Sequence, residues 1–337
     1  MKTVLVTYTP AAMDRYFGDK ALAALRAVAT VRLHRGDRPL DPDALIAAAD
    51  NCDVVIADRA TEVPAAVFRS LPRLVALSRC AVDIRNIDVA VASQHGILVT
   101  QASAGFMASV AEWVIGVMID LGRHISAASE AYHAGAAPPV RMGRELRGST
   151  LGIIGYGQIA RYLARLAAAF GMRIVASDPY VSRADDGVER APLAALLATA
   201  DYVVCLAKAT EETENLLDAG AFAAMKPTAC FINAARGNLV DEAALLQALD
   251  GGRLAGCALD VGRAPDQMPS PELARHPRVI ATPHIGGLTP PAIEHQAMET
   301  VTQVAEIVAG RVPAGAVNAA EAWRLRGKGP AEAQCQP

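Results

Sequence analysis

No stretch of this 337-residue sequence reaches the ~18 consecutive apolar residues that a membrane-spanning helix needs. The first residues offer one lysine and a short apolar run before Asp14 and Arg15, too little for a secretory signal. The six cysteines (52, 80, 205, 230, 257 and 335) include no Cys-x-x-Cys pair, and several lie in apolar, strand-like runs. Reduced, buried thiols in a cytoplasmic protein are therefore expected, with no metal site. Cys335 stands third from the end with Gln334 before it, which is not a prenylation box. The net charge is −3 without a basic block, so neither nucleic acid nor an acidic membrane surface is an expected partner. Repeats and low-complexity tracts are missing as well.

The chain has instead enough apolar residues, 52% against 20% charged, to build the cores of two ordinary domains. Its organising stretch runs from 151 to 178. Leu151-Gly152-Ile153-Ile154 reads as a buried parallel strand, followed by Gly155-Tyr156-Gly157-Gln158-Ile159-Ala160. A helical pattern then carries Ile159, Leu163, Leu166 and Phe170 to a stop at Gly171, and a second strand over 173–177 ends in Asp178. Strand, glycine turn, helix, strand and acid together form a dinucleotide-binding fingerprint. Gly155 permits the tight turn, and Gly157, lacking a Cβ, lets a pyrophosphate approach the helix N-terminus. Ala160 is small enough for close helix–strand packing. Asp178 lies 178 − 157 = 21 residues past the second glycine, where a carboxylate accepts from the ribose hydroxyls and repels a 2′-phosphate. NAD is expected over NADP.

On either side the chain alternates strands and helices. Residues 1–100 give strands near 4–7, 30–33, 54–57, 74–77 and 96–100, with helices over 20–28 and from the Asp41-Pro42 start. The helix carrying Val110, Trp113, Val114, Val117, Met118 and Leu121 could bury its stripe against its own sheet or against a second subunit. Residues 133–150 read as a loop. Beyond Asp178, strands near 202–206, 229–233, 255–259 and 279–281 complete six with the first two, and a last helix runs from Thr289-Pro290 to Gly310.

Ligands of an open α/β sheet bind outside the carboxyl ends of its strands. Arg236, Asp260 and His284 each follow one of the last three strands. A histidine can move a proton near neutral pH, and a guanidinium offers a carboxylate a bidentate fork. His276, beside Pro277, reads as structural.

At this point the sequence resembles the D-isomer-specific 2-hydroxyacid dehydrogenases, in particular the phosphoglycerate-dehydrogenase-like branch. The likeness covers roughly residues 70–320. Besides the fingerprint it rests on Asn233-Ala234-Ala235-Arg236-Gly237-Asn238-Leu239-Val240-Asp241, Ala258-Leu259-Asp260-Val261 and Thr282-Pro283-His284-Ile285-Gly286-Gly287. The resemblance implies an α/β protein with two doubly wound parallel-sheet domains. A Rossmann NAD-binding domain (101–287) is inserted in a flavodoxin-like substrate domain (1–100 with 288–325), and a loose tail (326–337) follows. It also implies dimerisation through the cofactor domain, with an active site between the domains. The implied activity is hydride transfer between nicotinamide and C2 of a small 2-hydroxy or 2-keto acid. His284 would be the acid/base and Arg236 the substrate clamp. Cofactor contacts would come from Gly155, Tyr156, Gly157, Gln158, Ile159, Asp178, Ala234, Asp260, Gly286 and Gly287.

The pattern breaks in three places. The glutamate expected five residues after Asp260 is Pro265; Asp266, one residue late, is favoured over Gln267 as the partner that orients His284. Where glycines commonly leave backbone N–H groups to grip the substrate, this chain has Cys80-Ala81-Val82-Asp83. Ala81, Val82 and Asp83 remain the substrate-binding candidates, with the Asp83 carboxylate either turned away or meeting a hydroxyl or cationic group. Leu206-Ala207-Lys208 replaces His-x-Pro. An NADH-sensing corepressor-like scaffold of the same fold is the alternative, since fold alone does not decide function.

Overall fold

Aliphatic runs that alternate between two faces set the two sheets of this protein. The computed structural model describes residues 1–183 and 185–327, apart from the side chain of Asp266. It divides into two compact units, Met1–Gly105 together with the chain from Pro290 onward, and Phe106–Thr289. Each is built on a wholly parallel sheet.

The first unit contains β1 (Thr3–Val6), β2 (Thr30–Leu33), β3 (Val54–Ala57), β4 (Ala76–Arg79) and β5 (Leu98–Gln101), in the order β2-β1-β3-β4-β5. Val4, Val6 and Ile56 point to one face, where they meet Leu25 and, from the returning helix Pro290–Val308, Val301, Val304 and Ile307. Leu5, Val55 and Leu77 point to the other, against Leu45 and Phe68. Each fully buried aliphatic side chain contributes about 1.5–3 kcal/mol. Asp41 caps the helix Pro42–Ala48 through the Ala44 amide (2.8 Å), as its position before a proline implies.

The chain leaves this unit after residue 105 and re-enters after 289, rather than at 100 and 287. Polar ties explain the later exit. Gln101 donates its amide to Gly315 O (3.0 Å) and accepts from Gln303 Nε2 (2.9 Å), and the Ser103 amide donates to Glu299 (2.7 Å).

The second unit contains β6 (Thr150–Ile154), β7 (Arg173–Ser177), β8 (Val188–Arg190), β9 (Tyr202–Cys205), β10 (Cys230–Asn233), β11 (Gly256–Leu259) and β12 (Val279–Ala281). Their order is β12-β11-β10-β9-β6-β7-β8. The seventh strand, β8, was not expected; it is a three-residue edge whose Glu189 and Arg190 are exposed, so it carries no apolar run. The helix Met107–Arg123 turns Ala111, Val114 and Met118 into the core with Leu163 and Ile153. Of the expected stripe, Val114, Val117 and Met118 are buried in this unit's own core, while Trp113 and Leu121 pack against it half-buried.

Among the described residues no helix is long and apolar enough to cross a membrane, and no group of three or more potential ligands could hold a metal. The five described cysteines are buried and unpaired; burial pushes the Cys205 thiol up to about 12 and that of Cys230 to about 11. Cys335 and most of the expected tail lie outside the described residues, while Arg326, at its start, donates to Ala319 O (3.1 Å).

Candidate active site

The glycine turn leaves β6 as its sequence requires. Gly155 has φ +84°, and a Cβ there would stand 2.5 Å from Ala207 Cα, so both the dihedral and the neighbouring backbone demand glycine. Gly157 precedes the helix Gln158–Ala169, and a Cβ on it would meet nothing within 4 Å. Open space therefore lies beside the amides of a helix N-terminus, where a pyrophosphate fits. Ala160 is fully buried, as close packing of that helix requires.

Asp178, at the end of β7, accepts from the amides of Tyr156 (2.7 Å) and Tyr180 (2.8 Å). Two backbone donors thus fix its carboxylate over the turn, and acceptor capacity remains on it for ribose hydroxyls. Tyr156 is buried beneath this loop. Its hydroxyl donates to Asp185 (3.1 Å), which also pairs with Arg161, and the Arg161 guanidinium lies 4.8 Å from the tyrosine ring. Burial first, then the Asp185 carboxylate, pushes the phenol up to about 12. The acid, the open glycine and the free helix end suit NAD.

The three strand-end residues occupy one edge of this sheet. β10 and β12 flank β11, with Asn233, Leu259 and Ala281 in register. Just beyond, Asp260 N donates to Asn233 O (3.1 Å), and His284 N donates to Asp260 O (3.0 Å). The loop bearing Arg236 is locked by the Asn233 side chain, which donates to Arg236 O (3.0 Å) and accepts from the Ala235 amide (3.1 Å). The Arg236 guanidinium is half-buried and donates to Ala235 O (2.7 Å). Asp260, one of the expected cofactor contacts, also uses its carboxylate to anchor the histidine loop. It accepts from Thr282 Oγ1 (2.6 Å) and from the amides of Ile285 and Gly286 (2.8 Å each). A Cβ on Gly286 would lie 2.8 Å from Asp260 Oδ2, and one on Gly287 would lie 3.2 Å from Phe106 Cβ. His284 is half-buried and held at φ +55°, a strained setting for a non-glycine residue and a frequent one at functional sites.

In the first unit, Ala81, Val82 and Asp83 follow β4. None of residues 80–83 has a positive φ, so replacing glycine there brings no backbone strain. The Asp83 carboxylate is gripped by Arg85, whose Nε lies 3.0 and 3.1 Å from its two oxygens and whose Nη2 lies 2.6 Å from Oδ2. Beneath this turn Arg79 is 0% exposed and donates from Nη2 to Thr61 O (3.0 Å) and Asn86 Oδ1 (2.7 Å). Neither Arg79 nor Arg85 was singled out in the sequence. A basic residue closing a buried strand, and Asp-x-Arg spacing, were the available signals.

Residues 115–286, about half of the chain, match the family described as D-isomer specific 2-hydroxyacid dehydrogenase, NAD binding domain. The chain belongs to this family. It is 37% identical over 284 residues to the D-3-phosphoglycerate dehydrogenase of Mycobacterium tuberculosis, covering 82% of this chain and 53% of that protein. Identity to the D-3-phosphoglycerate dehydrogenase of Rattus norvegicus is 35% over 285 residues, covering 83% of this chain and 53% of that protein. The chain thus spans about half the length of the curated relatives it matches. Among solved structures, the TT0316 protein from Thermus thermophilus superposes with a TM-score of 0.84 at 29% identity, covering 94% of this chain and 99% of that one.

Against this family's pattern, the irregular segment after Asp260 folds as a tight turn. Gly262 N donates to Gln267 O (2.9 Å), Ala264 N donates to Met268 O (3.0 Å), and Pro265–Gln267 forms one turn of 3-10 helix. Gly237, next to Arg236, packs so closely that a Cβ would fall 2.0 Å from Gly262 O. The Arg236 loop and this turn therefore hold each other in place. Gln267 sits at φ +60° with its side-chain Oε1 buried and without a partner among the described residues. The Asp266 side chain lies outside the described part. Lys208 is exposed, and His276 is structural as expected, accepting from Arg278 N (3.1 Å) and lying 3.3 Å from Asp250.

Proposed function

We propose that this chain is an NAD-dependent dehydrogenase of small 2-hydroxy acids, working in reverse on 2-keto acids. The reading is carried by the gathering of Arg236, Asp260 and His284 on successive strand-end loops of the sheet that bears the glycine turn. NAD, when bound, accepts the hydride from C2 or, as NADH, returns it. Oxidation removes the C2 hydrogen as hydride and the hydroxyl hydrogen as a proton, leaving a 2-keto acid and NADH. His284 takes that proton from the C2 oxygen, since an imidazole with a reference pKa of ~6.5 is effective near neutral pH. Arg236 binds the carboxylate and polarises the C2 oxygen through a charge-assisted fork. The backbone N–H groups of Ala81, Val82 and Asp83 add donors for the substrate. Asp266 orients the imidazole and steadies its protonated form; Gln267, the alternative, would supply only a neutral hydrogen bond. Asp178, the glycine turn, Ala234, Gly286 and Gly287 hold the cofactor, and a homodimer is the assembly, to be checked by sedimentation.

The test is NADH oxidation with glyoxylate, hydroxypyruvate, pyruvate, 2-ketoglutarate and bulkier keto acids. Turnover of at least one is expected, and His284→Asn should lower kcat by about 10²–10⁴-fold with NADH binding retained. Intact NADH binding without turnover of any of them would favour the scaffold.

A further inference from the structure

The second sheet reverses its direction of growth at β6. From that strand the chain builds outward through β7 and β8, then returns to lay β9 on the other side of β6 and continues to β12. At such a switch point the loops that follow the two strands run apart, and the crevice between them is where an open α/β sheet takes its ligand. One lip of the crevice is the glycine turn after β6. The other is the run Leu206-Ala207-Lys208 after β9.

The two lips lie close together. Ile154 and Cys205 are in register, Leu206 N donates to Ile154 O (2.8 Å), and the Cβ that Gly155 lacks would fall 2.5 Å from Ala207 Cα. Lys208 is the next residue, and its backbone is pinned. The Thr213 hydroxyl accepts from the Thr210 amide (2.8 Å) and donates to Lys208 O (2.9 Å). Further on, Glu212 accepts from the Tyr180 hydroxyl (3.5 Å), so the loop after β9 reaches the residues that follow β7, beyond the glycine turn. The Lys208 side chain is exposed and makes no ion pair among the described residues.

Charge around the crevice is one-sided. A dinucleotide brings a negative charge on each phosphate of its pyrophosphate, whereas a helix N-terminus supplies only about half a positive charge. Asp178, Glu211 and Glu212 add further negative charge nearby. Within residues 155–160 and 206–213 the single basic residue is Lys208. Arg161, next along the helix, is committed to Asp185 and to the face of Tyr156. An ammonium on a flexible four-carbon stem meets a phosphate as a point charge, without needing a fixed fork geometry. Lys208 stands where the His-x-Pro pattern has its proline, so this charge is the chain's own addition.

We propose that Lys208 is a cofactor-binding residue. Its ammonium pairs with the pyrophosphate of NAD from the β9 side of the crevice, across from the N-terminus of the helix Gln158–Ala169. The proposal rests on NAD as the cofactor of the dehydrogenase reading, and it does not depend on any keto acid being turned over.

The experiment is fluorescence titration of the full-length protein with NADH, with ADP-ribose and adenosine followed as competitors. Lys208→Gln should weaken NADH and ADP-ribose by the same factor, about fivefold to twentyfold at low salt, while adenosine stays within about twofold. Salt screens such a pair, so the loss should shrink to about twofold or less at ~1 M. Lys208→Arg should keep most of the affinity. Glu211→Gln added to Lys208→Gln restores the net charge of the loop without the ammonium, and should recover little. Unchanged NADH affinity in Lys208→Gln would overturn the assignment. So would a loss that spares ADP-ribose, which puts the lysine at the nicotinamide end, or an equal loss for adenosine, which means damage to the whole pocket. Full recovery through Glu211→Gln would overturn it too, by reducing the lysine to a background field. The expected binding changes without turnover of any keto acid would sink the dehydrogenase reading while the lysine contact stood.

Discussion

Asp178 serves two purposes with one carboxylate. The amides of Tyr156 and Tyr180 fix its orientation, and the acceptor sites left over are those a ribose would use. Hydrogen bonds to charged groups contribute about 1.5–3 kcal/mol, so Asp178→Ala should weaken NADH binding by roughly tenfold to a hundredfold. Discrimination against NADPH should fall with it, because the repulsion of a 2′-phosphate disappears. Fluorescence titration with both cofactors reads the two effects; an unmoved preference would show that another group selects NAD. A second residue-scale outcome concerns His284. A carboxylate neighbour raises an imidazole pKa, and the oxidative reaction needs the neutral imidazole. Asp266→Asn should therefore move the acidic limb of the kcat/KM profile to lower pH, whereas a limb that stays put would point to Gln267.

His284, Arg236 and Asp178 were legible in the sequence because each closely follows a strand whose apolar run announces it. The pairing of Asp83 with Arg85 was not, since spacing brings two charges near one another without saying whether they meet. Nor was the anchoring part of Asp260, which depends on amides of a loop further along the chain.

Elements with a long apolar stripe could be read from the sequence; the short helices Ala65–Ser70 and Val89–Gln94, which bury only Val67, Phe68, Val91 and Ala92, and elements with no stripe could not. The helices Pro10–Tyr16 and Ile125–His133 bury no residue, and β8 is an exposed edge. Thr9 before Pro10 was the one clue to the first of them, and its hydroxyl does accept from the Ala12 amide (3.3 Å). The strand read near 74–77 forms at Ala76–Arg79, a shift concealed by an apolar run that begins before it. The returning helix Pro290–Val308 was plain, and it is also an element on which the first sheet depends heavily. Ile307 is fully buried against that sheet's core. Truncation to Ile307→Ala should cost about 2–5 kcal/mol, read as a lower denaturant midpoint with the transition slope unchanged.

Across the whole molecule, the two units differ in how the chain builds them. The second is one continuous stretch, whereas the first is assembled from both ends of the sequence. Removal of everything after Thr289 should leave the glycine turn and Asp178 able to bind NADH. The same truncation strips one face of the first sheet of Val301, Val304 and Ile307. Such a protein should bind a hydrophobic dye strongly while still quenching NADH; loss of NADH binding would mean that the second unit cannot stand without the returning helix.

The polar ties of β5 have a consequence for biosynthesis. Asn318 accepts from the Val99 amide (2.7 Å) and donates to Ile97 O (2.9 Å), joining partners 219 and 221 positions apart. A ribosome working from the N-terminus releases those groups long before it makes the asparagine that satisfies them. Through that interval the nascent β5 edge must be shielded by chaperones or by haste, and slow translation of the last part of the message should show itself as aggregation.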